Sequence, residues 1–206
     1  MEINQKFATL ASDDSIAKTI AALNQNGITT YVVNDKAAAK EKALSLLPAG
    51  AEVMNMSSIT LAETGIDQEI TSSEKYKAAR NTFATLNSPE QQMEKQRLGA
   101  APEYAIGSVH AVTENGEVLI ASATGSQLPA YAFGSRAVIW VVGSQKIVEN
   151  VEVGRQRLAE YCLPLENERA LKAYGQGSSI NKVLLINKEV QAGRITLIIV
   201  KEKLGF

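Results

Sequence analysis

Four short segments carry side chains able to hold or attack a ligand. The first is Asn55-Met56-Ser57-Ser58-Ile59-Thr60. Ser57, Ser58 and Thr60 follow a strand-like run and precede Leu61-Ala62-Glu63, a helix start. Hydroxyls and free amides at such an end bind carboxylate or phosphate, although Ser58 as a plain N-cap accounts for the same letters. The second is Thr113-Glu114-Asn115-Gly116. Glu114 reads as a carboxylate at a sheet edge, a nucleophile or base, while Asn115-Gly116 between alternating apolar runs signals a two-residue type I′ hairpin. The two readings are compatible. The third is Thr124-Gly125-Ser126, a small-residue loop that lets backbone approach a ligand closely or simply connects two elements. The fourth is Gly175-Gln176-Gly177-Ser178-Ser179. It matches half of a dinucleotide fingerprint, but Ile180 stands where the third glycine belongs and a helical segment precedes it, which excludes a Rossmann site. An anion nest built from Gly177, Ser178 and Ser179, with Lys182 and Arg194 nearby, competes with a flexible turn.

Two lone residues read as structural. His110 is the single histidine and sits in a strand-like run. Cys162 is the single cysteine, on the apolar face of a helix with no basic neighbour expected on that face to activate it. One of each cannot build an intramolecular disulfide, a Cys/His zinc site or a cysteine-ligated iron–sulfur cluster from this chain alone, and no metal-ligand set is singled out. No Walker loop, G-x-S-x-G elbow or Ser/His/Asp arrangement is present.

The elements that must position these segments follow from periodicity. Asp13 and Asp14 are candidate N-caps for a helix with Ile16, Ile20 and Leu23 on one face, stopped by Gly27. Thr29 to Asn34 reads as a strand. Asp35 caps a helix carrying Ala39, Ala43, Leu46 and Leu47, and Ala51 to Met56 is again a strand. This alternation predicts a parallel sheet with helices packed on it. A long helical stretch follows, with Tyr76, Ala79, Phe83 and Leu86 on one face and a restart at Ser88-Pro89. From Tyr104 to Val142 the chain turns strand-rich, and Ala137 to Val142 reads as a central buried strand. A helix carries Val151, Leu158 and Cys162 until Pro164 ends or kinks it. Val183–Ile186 and Ile195–Val200 are closing strands. Both halves are expected to contribute to one sheet, in one α/β domain over 1–206 with a helical N-terminal portion and a helical insertion at about 73–100.

Composition narrows the function classes. The 206 residues include 21 Lys and Arg against 22 Asp and Glu, a net charge of −1. That removes the basic footprint of a non-specific nucleic-acid binder. No apolar run approaches the roughly 20 residues of a membrane span, and Met1 to Thr9 lacks the apolar centre of a secretory signal. The expected location is cytoplasmic, with no nucleic-acid or membrane partner.

Several segments together resemble the LUD-domain family, named for lactate utilisation protein C. Val53-Met54-Asn55-Met56-Ser57-Ser58-Ile59-Thr60-Leu61 resembles its strand-and-hydroxyl segment. Gly107 to Ile120, with Ala111-Val112-Thr113-Glu114-Asn115-Gly116, is similar to its A-I-A-E-T-G-T segment. Ala137 to Val148 is similar to its H-I-x-V-V-G-x-x-K-I-V strand. Pro164 to Ala170 and Gly193 to Phe206 resemble parts of a shorter LUD branch. The resemblance runs from about Leu44 onward and adds Gly107, Ser108 and Gly116 to the candidate ligand-binding residues. It implies a NagB/RpiA/CoA-transferase-like fold, a mostly parallel sheet flanked by helices. It also implies a role in oxidising lactate to pyruvate beside iron–sulfur partner proteins. Three departures stand out: Glu-Asn-Gly replaces Glu-Thr-Gly, the cysteine cluster of iron–sulfur members is absent, and Arg136 stands where longer members have histidine.

Thr113-Glu114-Asn115-Gly116 also resembles the Ser-Glu-Asn-Gly stretch of class I CoA transferases, which implies acyl transfer through a Glu114 anhydride and a CoA thioester. Three functions therefore stay open. One is a LUD protein binding a small organic anion with iron–sulfur oxidoreductase subunits as partners. Another is a CoA-transferase-type enzyme with Glu114 as catalytic residue. The third is a non-catalytic assembly subunit. The chain itself is expected to carry no cofactor, with CoA or a small organic anion as ligand, and a homodimer is expected on base rate.

Overall fold

The structure is a computed structural model that describes residues 2–206. In chain order the elements are α1 (Asp13–Gln25), β1 (Thr29–Val33), α2 (Lys36–Ser45), β2 (Glu52–Asn55), α3 (Ile59–Thr64) and α4 (Ile66–Ser72). Then come β3 (Lys77–Ala78), α5 (Ala79–Thr85), α6 (Gln92–Ala100), β4 (Tyr104–Gly107), β5 (Ala111–Thr113) and β6 (Val118–Ser122). The chain closes with β7 (Ala137–Gly143), β8 (Ile147–Val148), α7 (Val151–Arg157), α8 (Leu163–Tyr174), β9 (Lys182–Ile186) and β10 (Ile195–Val200).

Six strands form a wholly parallel sheet in the order β1-β10-β7-β4-β2-β3. Its centre is β7, whose apolar run is buried on both faces, as a parallel strand covered on both sides requires. Val138, Trp140 and Val142 pack with Ile16 and Leu23 of α1 and with Val112, Val118 and Ile120 of a second sheet. Ile139 and Val141 point the other way, onto Ala39, Ala43, Leu61, Ile66 and Ile70 of α2 to α4. A mostly parallel sheet flanked by helices is thus the architecture.

The second sheet, in the order β8-β5-β6-β9, corrects the expectation of a single one. Of the two closing strands, β10 is buried along its length and joins the parallel sheet. β9 begins with exposed Lys182 and Val183 and pairs antiparallel to β6 as an edge. Half-exposed strands suit antiparallel edges, because parallel sheets bury both faces.

Local details also differ. Ser12, not Asp13 or Asp14, caps α1 by accepting from the Ser15 N–H, and the two aspartates sit in the first turn, where they favour the helix dipole. The helical stretch read from Tyr76 instead opens on the short strand β3 before α5, and the restart read at Ser88-Pro89 leads through a 3-10 turn at Pro89–Gln91 into α6. The β5–β6 turn has three residues, because only Gly116 has positive φ (+81°) and Asn115 does not. The amide of Gly116 bonds the Thr113 carbonyl (2.9 Å), and the Thr113 amide bonds the Glu117 carbonyl (2.9 Å). This is the type I turn plus left-handed glycine, rather than type I′. Pro164 does not end the helix. A π turn at Leu158–Cys162 links α7 to α8, and Pro164 falls in the first turn of α8, where its missing N–H costs nothing.

Candidate functional site

The loops that follow β2, β4 and β7 leave three neighbouring strands at their carboxyl ends and meet there. Ligands of open α/β sheets bind at such ends. A cleft of about 1100 Å³ opens at this point. The β2 loop supplies Ser57 and Ser58, the first turn of α3 supplies Thr60, the β4 loop supplies Ser108 and His110, and the turn after β7 supplies Lys146. Arg80 and Phe83 of α5 and Lys95 of α6 line one side. The 123–127 loop, Arg169 and Tyr174 of α8, and Gly177 to Ser179 line the other.

Lys146 is the focus. It is 2% exposed, and its Nζ donates to Thr60 Oγ1 (3.1 Å) and Ser108 Oγ (3.1 Å). It makes no ion pair among the described residues. The Glu63 carboxylate, which favours the charged amine, accepts from the Gly205 N–H at 2.7 Å. Burial, together with the positive charge of Arg157, pushes Lys146 from 10.5 down to about 7.

Arg157 is fully buried and also lacks a carboxylate partner among the described residues. One amino group donates to the His110 carbonyl and to Cys162 Sγ (2.8 Å), while Nε and Nη2 are buried without a hydrogen-bond partner among the described residues. Its guanidinium lies over the Tyr161 ring, 5.0 Å from the centroid. Burial pushes the Cys162 thiol up against the opposing pull of Arg157 and Lys146, so it stays protonated. The π turn explains why this contact escapes helical periodicity. Residues five apart do not share an α-helical face, but a turn with i→i+5 bonds brings Arg157 over Cys162.

His110 is half-buried in the cleft wall. Its Nδ1 accepts the Ala121 N–H at 3.1 Å, so the neutral ring carries its proton on Nε2. Burial, with Lys146 and Arg157 beside it, lowers its pKa from 6.5 to about 3. It is a fixed neutral donor. The floor of the cleft therefore offers an amine, an imidazole N–H and two hydroxyls, a set suited to an anion or a carbonyl.

A LUD-domain family model matches residues 16–202. The chain belongs to the LUD-domain family. No curated protein matches it. The backbone of this LUD domain is similar to the crystal structure of a DUF162 family protein from Deinococcus radiodurans, with a TM-score of 0.56 and 12% identity over 93% of this chain and 99% of that one. At that identity the likeness is one of fold. The LUD domain is also similar to ribose 5-phosphate isomerase from Plasmodium falciparum over 56% of this chain and 53% of the other, at 13% identity and a TM-score of 0.34.

Of the residues singled out from the sequence of this LUD domain, Ser57, Ser58, Thr60, Ser108, Thr124, Gly125, Ser126, Gly177, Ser178 and Ser179 all line the one cleft. Several already have structural partners. Ser58 Oγ caps α3 at the Leu61 N–H (3.4 Å), and Ser57 Oγ accepts from Arg80 (2.8 Å). The Gly125 amide bonds Ser122 Oγ (2.8 Å), and the Ser178 amide bonds Asn167 Oδ1 (2.9 Å). Gly107 is not in the lining. A Cβ there would fall 1.9 Å from Tyr131 Oη, so its role is to admit that phenol against β4.

Glu114 and Gly116 lie elsewhere. Glu114 accepts from Ser15 Oγ (2.7 Å) and pairs with Lys18 (2.8 Å) on α1, and Lys18 and Ser15 hold its carboxyl below the ordinary range. Gly116 backs onto the Ala22 carbonyl of α1. A nucleophile must face a pocket, and this hairpin instead fastens the second sheet to α1. Lys182 is spent on the Thr124 carbonyl, and Arg194 is buried against Glu189 (2.6 Å) and three backbone carbonyls, so neither serves the Gly177 loop. Lys146 and Arg157 are the groups that the sequence reading missed. The signal for Lys146 was its place in Gly143-Ser144-Gln145-Lys146, directly after the most buried strand.

Proposed function

We propose that the cleft binds a small organic anion of the 2-hydroxy- or 2-oxo-acid class, anchored at Lys146. One observation carries this reading. Lys146 and Arg157 are both buried, and no carboxylate of the described residues neutralises either. Burying an uncompensated cation costs several kcal/mol, on the order of the whole stability of a domain. A bound anion offsets that cost. The Thr60 and Ser108 oxygens hold the Lys146 amine in place, and the His110 Nε2–H supplies a neutral hydrogen-bond donor for the anion's oxygens.

Membership of the LUD-domain family supports placing this anion in lactate utilisation, the conversion of lactate to pyruvate, with iron–sulfur oxidoreductase subunits as partners and the cytoplasm as location. Electron transfer then belongs to the partners, since this chain has one cysteine. CoA transfer through Glu114 has no such support, because Glu114 is tied to α1.

Isothermal titration with lactate, pyruvate and a sugar phosphate tests the proposal. A saturable signal with lactate or pyruvate that Lys146→Met weakens by about tenfold or more, the worth of one charge-assisted contact, is the expected result. No heat from either acid at millimolar concentration refutes it.

A further inference from the structure

An amine at the bottom of a cleft can do more than attract charge. Lys146 Nζ is held by two hydroxyls from different segments, Thr60 in the first turn of α3 and Ser108 just after β4, each at 3.1 Å. Thr60 Oγ1 directs its own proton to the Leu204 carbonyl (3.2 Å), so it accepts from Lys146. Ser108 Oγ directs its proton toward the Val109 carbonyl (3.5 Å) and accepts in the same way. A neutral amine in this setting has both N–H bonds engaged, and its lone pair is the remaining valence.

Burial and the Arg157 cation favour that neutral form and outweigh the opposing pull of Cys162 and Glu63. Arg157 is a cation behind it, His110 is neutral, the Cys162 thiol is protonated, and Glu63 is engaged by a backbone N–H. Burial and Arg157 bring the amine to about 7, so a large share of it is unprotonated at neutral pH. Met56, Ile59, Val109 and Leu158 line the same cleft and give it an apolar portion beside the amine.

We propose that Lys146 is a catalytic nucleophile that forms an imine with the keto carbon of a bound 2-oxo acid. The inference rests on the anion-site reading above and names the chemistry of that site. The Nζ lone pair forms a bond to C2, and the carbonyl π pair moves to oxygen. The proton lost from nitrogen reaches that oxygen through the Ser108 hydroxyl, giving the carbinolamine. A second proton leaves the nitrogen as the hydroxyl departs as water, and the C=N bond remains. One amine and one ketone give one imine and one water, with no oxidant or reductant. The carboxylate of the acid is left to His110 Nε2–H and the cleft hydroxyls. A 2-hydroxy acid fits the same contacts but has no carbonyl, so it binds without reacting.

The test is reductive trapping. The full chain is incubated with pyruvate and cyanoborohydride, then digested and mapped by mass spectrometry, with titration calorimetry on the same sample. The expected result is one reduced pyruvate adduct on the peptide containing Lys146. It should form faster as pH rises through about 7, and excess lactate should suppress it. Lys146→Met should lose the adduct, and Lys146→Arg should retain anion binding without it. If pyruvate binds by calorimetry and the wild-type Lys146 peptide stays unmodified, the imine is overturned and the anion site stands. If pyruvate neither binds nor labels, both fall. Adducts spread over surface lysines and unchanged in Lys146→Met also overturn the imine.

Discussion

Ser108 Oγ lies 3.1 Å from Lys146 Nζ, although the two residues are 38 positions apart in the chain. The contact joins the end of β4 to the end of β7, two neighbouring strands of the parallel sheet. Ser108→Ala removes an acceptor from the buried Lys146 amine, which is expected to cost about 1–3 kcal/mol at neutral pH. Urea unfolding measures it. A change within about 0.5 kcal/mol, as for an ordinary surface substitution, means the bond contributes nothing.

Lys146 makes stability depend on pH in an unusual direction. Its pKa is about 7 in the fold and near 10.5 when free. Between those values the unfolded chain binds one more proton, so stability rises with pH across the window. Below about 7 both states hold the proton, and the full cost of burying the charge is present. Lys146→Met removes this component and is expected to stabilise the ligand-free protein by about 1–4 kcal/mol at neutral pH. The wild-type minus variant difference, followed from pH 6 to 10.5 by denaturant melts, should shrink steadily. A flat difference contradicts the buried, unpaired amine.

His110 acts on the acid side. It titrates near 3 in the fold against 6.5 unperturbed, so between these values the unfolded chain takes up the extra proton and stability falls as pH falls. Because it is the single histidine, its ring resonances are assigned without ambiguity. NMR titration should show a neutral Nε2–H tautomer that holds below pH 5. A midpoint near 6.5 would show the ring to be freely solvated.

Glu114→Gln separates the hairpin from the cleft. The loss of the Lys18 pair and part of the Ser15 bond should cost no more than about 1 kcal/mol, with binding of lactate or pyruvate unchanged in calorimetry. A large loss of affinity would return Glu114 to the site.

Gly107→Ala tests close packing. The new Cβ would meet Tyr131 Oη at 1.9 Å, in a fully buried setting where Tyr131 stacks edge-on to Trp140 at 5.4 Å. Overpacking of this kind costs about 1–3 kcal/mol, read as a lowered thermal midpoint. Wild-type stability in the variant would mean the phenol moves freely.

Much of the parallel sheet was legible because buried strands and amphipathic helices write their burial into local periodicity: Ala137–Val142, Ile195–Val200 and the α2 face Ala39/Ala43 are examples. The split into two sheets was not, since β9 and β10 look alike as β-branched runs and differ only in which neighbours cover them. The hydroxyl loops were legible from strand-end position and small-residue content. Glu114 misled because a carboxylate at a hairpin reads the same whether it meets a ligand or the lysine of a passing helix.

Most of the strands and helices, and the polar character of the strand-end loops, came from the sequence alone, because each depends on neighbours within a few residues. Which polar groups share a cleft, and that Lys146 and Arg157 are buried with no carboxylate of the described residues paired to them, was decided only by tertiary structure. Charge compensation depends on distances between loops far apart in sequence, and a π turn can bring together two residues, Arg157 and Cys162, that helical spacing keeps apart.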